Sequence, residues 1–489
     1  MCQIKISFFF TLFLFINIIT FAQSNIDASI QKLLSDPSIK NASLSLCVLK
    51  ANTGKIVYGH NEMQSLKPAS TLKVITTSTA LGVLGDDFRF ETVLEYSGSI
   101  DGNGTLNGDL YIRGGGDPSL GFLRYDLKNP KMNEVLKIFR QKVFAAGVKK
   151  INGDVIGDAS IFSSNTVPKK WIWEDIGNYY GAGSCGLNLH ENQYNIQFKV
   201  GATEGAATEI DIIYPDLSDV EFINEVKTGS KASGDQAYVY AAPFSDKIYV
   251  RGTVPAGNRD FTIKGSVPDP ARFAANNFKK ELEKSGISVS GSSISQYEKN
   301  NKSRTKIYNH PSPRLADLIF WANKKSINLY CEAILKMIGL KLYNAGSTHN
   351  GIKGVIQYWK NRGVDLDGFY IHDGSGLSPD NAVSTYQLAK ILQKTVKEAH
   401  YETFNKSLSF AGDPNDRGSL RGQLTGTKAA GNLRAKSGYI SRVRSYSGYV
   451  QSSCGELLSF SMIVNNYNCS NSKMRTKMMA VLRTLAEME

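Results

Sequence analysis

The sequence of 489 residues is poor in cysteine and histidine, with six of each. Cys2 falls in a leader segment described below, which leaves an odd number of cysteines at irregular spacing. These are Cys47, Cys185, Cys331, Cys454 and Cys469. Such spacing predicts neither a disulfide framework nor a zinc site, and the scattered histidines include no His-x-x-x-His pair. We therefore expect mostly free, buried thiols, no metal and no cofactor.

After residue 22 the sequence has no apolar run long enough to cross a membrane. The first 22 residues differ, because Lys5 precedes an almost unbroken apolar stretch that ends at Thr20-Phe21-Ala22. This pattern is typical of a secretory signal peptide, with Gln23 as the first mature residue. An uncleaved N-terminal anchor is the alternative, although the stretch is short for a spanning helix. We predict export to the periplasm or the extracellular space, with no transmembrane span after cleavage.

Acidic residues do not balance the basic ones, since 57 Lys and Arg stand against 44 Asp and Glu and give a formal charge of +13. A basic exported protein is suited to an anionic surface or polymer, although the same charge also serves general solubility. Export argues against nucleic acid as a partner. The length exceeds one ordinary core and the 42% hydrophobic content is globular, so we expect two or three domains.

The run Pro68-Ala69-Ser70-Thr71-Leu72-Lys73 precedes a mostly apolar, Thr-rich segment that predicts a buried helix. Residues three apart lie on one face of a helix, which places Lys73 beside the hydroxyl of Ser70. Desolvation lowers the pKa of an amine, and a neutral amine can take the proton of a serine. Ser70 is therefore a candidate nucleophile with Lys73 as its base. The alternative is a serine that caps the helix, followed by a lysine that extends to the surface.

The Ser-x-x-Lys spacing alone is weak evidence, because three other copies occur. They are Ser29/Lys32, Ser303/Lys306 and Ser470/Lys473. None of the three is followed by a run that is apolar enough to be core, so the Ser70 copy is the one to test against the rest of the chain.

From about Phe88 short predicted strands alternate with Gly, Asp and Asn turns, as far as about residue 265. The chain after residue 311 is rich in predicted helices, and it ends with a strand pair and a helix. We predict an α/β (α+β) fold that carries a large strand-rich insertion. The expected bounds are 1–22 for the signal peptide, 23–90 and 266–489 for the catalytic domain, 91–191 and 242–265 for an inserted domain II, and 192–241 for a nested inserted domain III.

Two further motifs follow the first. Ser326-Ile327-Asn328 stands at a predicted break between helices, where on its own it is indistinguishable from a helix cap. Lys436-Ser437-Gly438-Tyr439 precedes the strand pair and can present its lysine along a sheet edge. Another Lys-Ser-Gly, at Lys284-Ser285-Gly286, ends a helix and is explained by capping. The order Ser-x-x-Lys, Ser-x-Asn, Lys-Ser-Gly is that of class A β-lactamases and penicillin-binding proteins.

With these motifs the chain resembles the low-molecular-mass penicillin-binding proteins that act as D-alanyl-D-alanine carboxypeptidases and endopeptidases, in the branch with a large insertion. Further stretches are similar to that branch. They are Gly108 to Pro118, Tyr179-Tyr180-Gly181-Ala182 with Leu187-Asn188, and Asp373-Gly374-Ser375-Gly376-Leu377-Ser378. The resemblance covers essentially the whole mature chain. It departs in two places: Ser437 replaces the usual threonine and keeps the hydroxyl, and Pro379-Asp380 stands where an arginine is frequent.

The resemblance implies a serine β-lactamase/penicillin-binding transpeptidase-like fold and a D,D-peptidase that acts on peptidoglycan stem peptides, with β-lactams as covalent inhibitors. Ser70 would attack the carbonyl between two D-alanines, and Lys73 would be its base. Ser326 would relay a proton to the leaving amine, and Asn328 would orient the substrate amide and Lys73. The substrate carboxylate and oxyanion would be held by Lys436, Ser437, Gly438 and Tyr439, with the backbone N–H of Ser70.

An aromatic and acidic cluster in the predicted insertion supplies candidates for substrate choice. Trp171, Asp175 and Tyr180 are candidates for binding the free ammonium of a stem-peptide diamino acid. The alternative for this cluster is an aromatic core with a surface acid.

Two other function classes share parts of the pattern. A serine β-lactamase needs a base that activates water, and Glu174-Asp175 resembles the class A glutamate loop but precedes Ser326 instead of following it. A non-catalytic wall-binding module predicts loss of at least one motif residue, and none is missing.

Overall fold

A computed structural model describes residues 25–124, 129–257 and 259–489. The predicted signal peptide lies outside the described residues. Within the described ranges, no helix combines the length and the apolarity that a membrane crossing requires. The chain divides into two compact units. The first holds the chain up to Gly82, Ile319–Ser326 and Val355–Glu489, and the second holds Val83–Leu318 and Ile327–Gly354.

A six-stranded antiparallel sheet forms the centre of the first unit. Its strands in spatial order are β2 (Ile56–His60), β1 (Ser43–Lys50), β23 (Leu457–Asn465), β22 (Val443–Gln451), β21 (Arg434–Ile440) and β20 (Ser409–Phe410). A two-stranded sheet pairs β3 (Ser65–Leu66) with β19 (Val383–Ser384). The strand pair predicted near the C-terminus is confirmed as β22 and β23. The sequence indicates that Lys436 precedes these strands, whereas the structure places it inside β21.

The structure describes eleven α-helices in the residues that it covers. They are α1 (25–34), α2 (Lys73–Leu84), α3 (Met132–Ala145), α4 (Trp173–Ile176), α5 (Pro270–Lys284), α6 (Leu315–Lys325), α7 (Asn328–Tyr343), α8 (Thr348–Lys360), α9 (Thr385–Thr395), α10 (Tyr401–Ser407) and α11 (Asn471–Ala486).

Strand β1 shows how helices cover both faces of the central sheet. Leu46 and Val48 belong to a core shared with the terminal helices α1 and α11. Cys47 and Leu49 point to the opposite face and pack with Ala389 of α9. Because successive side chains of a strand alternate between faces, a strand buried along nearly its whole length, as β1 is, is what a sheet covered on both sides requires.

Four sheets make up the strand-rich second unit within the described residues. The largest has the order β17 (Ser293–Gln296), β9 (Val155–Asp158), β7 (Leu110–Arg113), β4 (Glu91–Tyr96) and β18 (Thr305–Pro311). A second sheet has the order β16 (Ser288–Val289), β8 (Lys150–Ile151), β6 (Thr105–Asn107) and β5 (Ser99–Ile100). The two remaining sheets are β11 (Glu209–Tyr214), β10 (Gln193–Lys199) and β15 (Asp260–Ser266), and β12 (Glu221–Gly229), β14 (Lys247–Pro255) and β13 (Tyr238–Tyr240).

The strand pairings run differently from the predicted domain bounds. Strands β17 and β18 lie within the segment 266–489 assigned to the catalytic domain, but they pair with β9 and β4 of the second unit. Strands β14 and β15 pair with β12 and β10, although residues 242–265 were assigned to domain II and 192–241 to domain III. Periodicity identifies a strand but not its partner, so these pairings could not be predicted from the sequence. The domain bounds themselves stay a prediction. That the strand-rich region arose as an insertion remains a prediction.

A buried ion pair joins the end of α6 to the segment before β21. The side chains of Lys324 and Asp416 are 3% and 5% exposed. Lys324 Nζ donates to the Asp416 carboxylate and to the Leu408 carbonyl, the latter at 2.6 Å. Burial lowers the pKa of Lys324 against the pull of Asp416. For Asp416, burial opposes ionisation, but the hydrogen bond and the charge of Lys324 prevail and hold its pKa below the ordinary value.

We predict that Lys324→Met lowers the thermal stability of the protein strongly, because Asp416 is left buried without its cation. Loss of one partner of a buried pair costs about 3–5 kcal/mol. The double variant Lys324→Met/Asp416→Leu should recover most of that loss, since no buried charge remains. Circular dichroism melting curves of the three proteins measure both effects. A double variant that melts at or below the single variant would contradict the assignment of the loss to an unpaired charge.

Candidate active site

Ser70 and Lys73 lie at the start of the helix that the sequence predicted. A 3₁₀ turn spans Ala69–Leu72, and the α-helix begins at Lys73, so Ser70 precedes the regular helix instead of opening it. Lys73 Nζ lies 2.9 Å from Ser70 Oγ, and Lys73 is 0% exposed. A fully buried amine is in the environment that favours its neutral form, which is the form that can accept a serine proton.

The central sheet holds this turn in place. The carbonyl oxygen of Pro68 accepts hydrogen bonds from the Ser445 hydroxyl of β22, at 2.5 Å, and from the Thr71 hydroxyl, at 2.7 Å. Ser445 and Thr71 are buried, so both bonds form away from competing solvent. The backbone on the N-terminal side of Ser70 is therefore fixed against β22.

The turn at residues 373–378 supplies an acceptor for Lys73, a role that the sequence does not indicate. Lys73 Nζ donates to the carbonyl oxygen of Ser375 at 2.6 Å, and Thr76 Oγ1 donates to the Gly374 carbonyl at 2.7 Å. The turn is organised by Asp373, which is 0% exposed and accepts the backbone N–H groups of Gly376 and Ser378 at 2.9 and 2.7 Å. An amine that donates one N–H to a fixed carbonyl has less freedom to rotate away from Ser70.

In the sequence, the segment Asp373 to Ser378 is informative only through its similarity to the family. The signal that could have revealed a role is an aspartate followed by glycines and serines, which is the composition of a tight turn that a carboxylate organises. Nothing in the sequence indicates that this turn, some 300 residues away, lies beside Lys73.

Lys436 and Ser326 form a second pair of amine and hydroxyl in the first unit. Lys436 Nζ lies 3.0 Å from Ser326 Oγ and donates to the carbonyl of Ser437 at 2.7 Å, and Lys436 is 2% exposed. Ser326 follows the last residue of α6 and has φ = +58°, a strained value for a residue with a side chain. A backbone outlier at a polar residue is a feature found at functional sites.

Strand β21 presents the third motif along the edge of the sheet, as predicted. The edge strand β20 pairs only with Arg434 and Ala435, so in the described sheet the outer edge from Lys436 onward carries no strand. Only glycine fits at position 438, because the strand passes close to the backbone before Ser70. A Cβ there would lie 2.7 Å from the Pro68 carbonyl oxygen and 3.0 Å from Ser70 N. The Ser437 hydroxyl bonds the Ser419 hydroxyl at 2.7 Å, and Tyr439 is 53% exposed.

Asn328 and Asp175 belong to the second unit, where one tyrosine connects them. The side-chain amide of Asn328, the first residue of α7, donates to the carbonyl oxygen of Tyr180 at 2.8 Å. The Tyr180 hydroxyl in turn bonds the Asp175 carboxylate. Burial, with a contribution from the charge of Glu174, raises the pKa of Asp175 despite that hydrogen bond. Trp171, the third member of the predicted cluster, is buried at 8% exposure.

Comparison with known proteins identifies the family of this chain. A family model described as D-Ala-D-Ala carboxypeptidase 3 (S13) family matches residues 26–488. The chain belongs to this family. It is 30% identical over 449 residues to a D-alanyl-D-alanine carboxypeptidase of Actinomadura sp. (strain R39), covering 90% of this chain and 80% of that protein. It is 25% identical over 460 residues to the D-alanyl-D-alanine carboxypeptidase DacB of Haemophilus influenzae, covering 94% and 91%.

Solved structures show the same fold. The crystal structure of penicillin-binding protein 4 from Haemophilus influenzae superposes with a TM-score of 0.80 at 24% identity, covering 94% of this chain and 98% of that one. The family resemblance, the penicillin-binding α/β fold with a strand-rich extra region, and the enzyme class of a serine D-Ala-D-Ala carboxypeptidase are thereby confirmed. The roles of the individual site residues remain predictions.

We predict that Gly376→Ala slows acylation by a fluorescent penicillin about 100-fold, the effect of displacing a catalytic group by about 1 Å. Gly376 has φ = +80°, and a Cβ there would lie 1.9 Å from the Ala69 carbonyl oxygen, so the turn that holds Lys73 must shift. Gly363→Ala is the matched control, because Gly363 has φ = +69° and no heavy atom within 4 Å of its Cβ position. Equal acylation rates in the two variants would contradict a positioning role of this turn.

Proposed function

We propose that this chain hydrolyses D-alanyl-D-alanine ends of peptidoglycan stem peptides, and D-alanyl cross-links between them, through an acyl-enzyme on Ser70. The observation that carries the proposal is the 2.9 Å separation of Lys73 Nζ and Ser70 Oγ, with Lys73 fully buried. Membership of the S13 family supports the same substrate class.

In the acylation step Ser70 Oγ attacks the carbonyl carbon between two D-alanines while Lys73 removes its proton. The backbone N–H groups of Ser70 and Tyr439 stabilise the oxyanion, a type of donor typically worth about 3 kcal/mol. Ser326 then relays to the leaving amine the proton that Lys73 has taken, so that Lys73 is neutral again and Ser326 keeps its hydroxyl, which Lys436 contacts at 3.0 Å. The C–N bond breaks, the amine departs, and the acyl group stays on Ser70 as an ester.

Peptide substrates and β-lactams differ in how fast the acyl-enzyme that they form is hydrolysed. After attack on a peptide the leaving amine diffuses away, which gives water access to the ester. In a β-lactam the leaving nitrogen remains tethered to the acyl group and shields the ester. A β-lactam is therefore a covalent inhibitor in this proposal. A β-lactam complex of the Haemophilus influenzae penicillin-binding protein 4 gives it further support.

Export of the chain is part of the proposal, since its substrate is a polymer of the cell wall. The apolar segment 1–22 predicts a cleaved signal peptide and a periplasmic or extracellular enzyme. The five cysteines that the structure describes form no disulfide, and three of them are buried.

We predict that benzylpenicillin adds one acyl group to the protein and that the modified peptide contains Ser70. Intact-mass measurement and peptide mapping detect the adduct, and Ser70→Ala should lack it. Between Ser326 and Lys436 no glutamate stands in a sequence context like that of the class A β-lactamase loop, where a glutamate activates water. The adduct should therefore persist for minutes. A hydrolysis rate on the order of 10⁻³ s⁻¹ corresponds to a barrier of roughly 21–22 kcal/mol.

Ser470→Ala is the matched control for this experiment, because Ser470 heads another Ser-x-x-Lys copy. The structure gives that serine a capping role, since its side chain accepts the backbone N–H of Lys473 at the start of α11. The control should acylate like the wild type. Rapid turnover of penicillin without release of D-alanine from a D-alanyl-D-alanine peptide would place the chain among β-lactamases, and an adduct that survives in Ser70→Ala would refute the nucleophile.

Asp175 is the proposed contact for the free ammonium of a stem-peptide diamino acid. Its support is the chain of contacts in the second unit, in which Tyr180 bonds Asp175 through its hydroxyl and Asn328 through its carbonyl. A partly buried carboxylate attracts an ammonium more strongly than an exposed one, because less water screens the charges. Since the pKa of Asp175 is raised, this attraction is lost on acidification at a higher pH than an ordinary aspartate would give.

We predict that Asp175→Asn lowers kcat/KM about 10-fold for a D-alanyl-D-alanine peptide with a free side-chain ammonium, the value of one charge-assisted contact. The same peptide with that amine acetylated should be affected less than twofold. In the wild type the preference for the free amine should fall as the pH drops through the raised pKa of Asp175, and the variant should show no such dependence. Glu174→Gln is the control, because Glu174 is exposed and adjacent. Equal losses of Asp175→Asn on both peptides would reduce Asp175 to a structural residue.

A further inference from the structure

We propose that Ser419 is a second hydroxyl contact for the free carboxylate of the substrate, beside Ser437. This inference rests on the proposed function. It states that the site selects acyl-D-alanyl substrates whose leaving group carries a free carboxylate. Ser419 lies outside all three sequence motifs. Its Oγ is 2.7 Å from Ser437 Oγ, and its side chain is exposed to solvent.

A pair of touching hydroxyls is a donor site for an anion. Each hydroxyl has one proton and two lone pairs, so when one of them donates to the other, the acceptor's proton remains free to point outward. A hydroxyl that already accepts a hydrogen bond is a stronger donor, because chains of hydrogen bonds polarise each other. Ser437 is partly exposed and Ser419 is exposed, so a carboxylate can reach the pair from solvent.

The backbone on both sides of Ser419 is anchored, which makes the position of its hydroxyl reproducible. The N–H of Gly418 donates to Asp416 Oδ2 at 2.8 Å, and the N–H of Leu420 donates to Ser409 Oγ at 2.8 Å. Ser409 Oγ itself donates to the same carboxylate oxygen of Asp416, at 3.0 Å. An exposed serine in a loop is ordinarily mobile, whereas the backbone on both sides of this one is held, by a buried hydrogen bond at Leu420 and a partly buried one at Gly418.

The Asp416 carboxylate that holds the backbone beside Ser419 is itself held by the buried ion pair with Lys324, which we call the anchor. An apolar pair of similar size would stabilise a fold as well as such a pair does, so stability alone does not account for it. Its particular effect is geometric. It joins the end of α6, two residues before Ser326, to the segment that carries Ser419. Lys436 of β21 contacts the hydroxyl of Ser326 and the backbone carbonyl of Ser437, whose own hydroxyl contacts Ser419. The pair therefore sets the position of Ser419 relative to the other groups of the carboxylate site.

The test uses two substrates that differ only in the free carboxylate: N-benzoyl-D-alanyl thioglycolate and its methyl ester, with thiol release as the readout. Ser419→Ala should raise KM for the acid and lower its kcat/KM about 10-fold, the value of one hydrogen bond to a charged group. Its kcat/KM for the ester should change less than twofold. Ser419→Thr keeps the hydroxyl and should retain the preference for the acid. Asn415→Ala, an exposed residue of the same segment, is the control and should match the wild type.

A second variant tests the anchor without touching the hydroxyl. Lys324→Met/Asp416→Leu should lose most of the preference for the acid over the ester, although Ser419 is present. Equal losses on acid and ester in Ser419→Ala, or no loss on either, would overturn the assignment. A wild type that forms the Ser70 penicillin adduct but does not distinguish acid from ester would overturn it while leaving the proposed function intact. Absence of the adduct as well would instead refute the function on which the inference rests.

Discussion

The contact between the Lys73 amine and the Ser70 hydroxyl is the interaction on which the rest of the site depends. A lysine with no exposed surface is costly to keep charged, and the fold places it there by starting α2 directly at Lys73. Two separate parts of the chain then restrict this contact. Ser445 on β22 fixes the backbone before Ser70, and the Asp373 turn supplies the carbonyl of Ser375 as an acceptor for Lys73.

Strand β21 brings the third motif to this site, and in the proposed mechanism it holds the substrate. Gly438 lets the strand pass against the backbone of Ser70, and Lys436 reaches the hydroxyl of Ser326 from the same strand. Because β20 pairs with only two residues of β21, the remaining edge is free of a neighbouring strand in the described sheet and suits an extended peptide. Lys73 and strand β21 thus both border the short 3₁₀ turn that carries Ser70.

The sequence allowed the fold class, the family and the three motifs to be predicted, because each rests on local order: an apolar helix after Ser70, a helix break at Ser326 and strands after Lys436. Contacts between distant segments could not be predicted. Ser375 is some 300 residues from Lys73, and Asp416 is 92 residues from Lys324, and nothing in their local patterns names the partner. The partners of β17 and β18 could not be predicted for the same reason, since these strands pair with strands more than 130 residues earlier.

The central claim is that Lys73 is a neutral base for Ser70, and neutron diffraction from deuterium-exchanged crystals of the uncomplexed enzyme at neutral pH tests it most directly. The account predicts two deuterons on Lys73 Nζ, with the Ser70 deuteron directed at the nitrogen lone pair. One N–D of Lys73 should point at the carbonyl oxygen of Ser375. Three deuterons on Lys73, with the Ser70 hydroxyl intact and turned elsewhere, would contradict it.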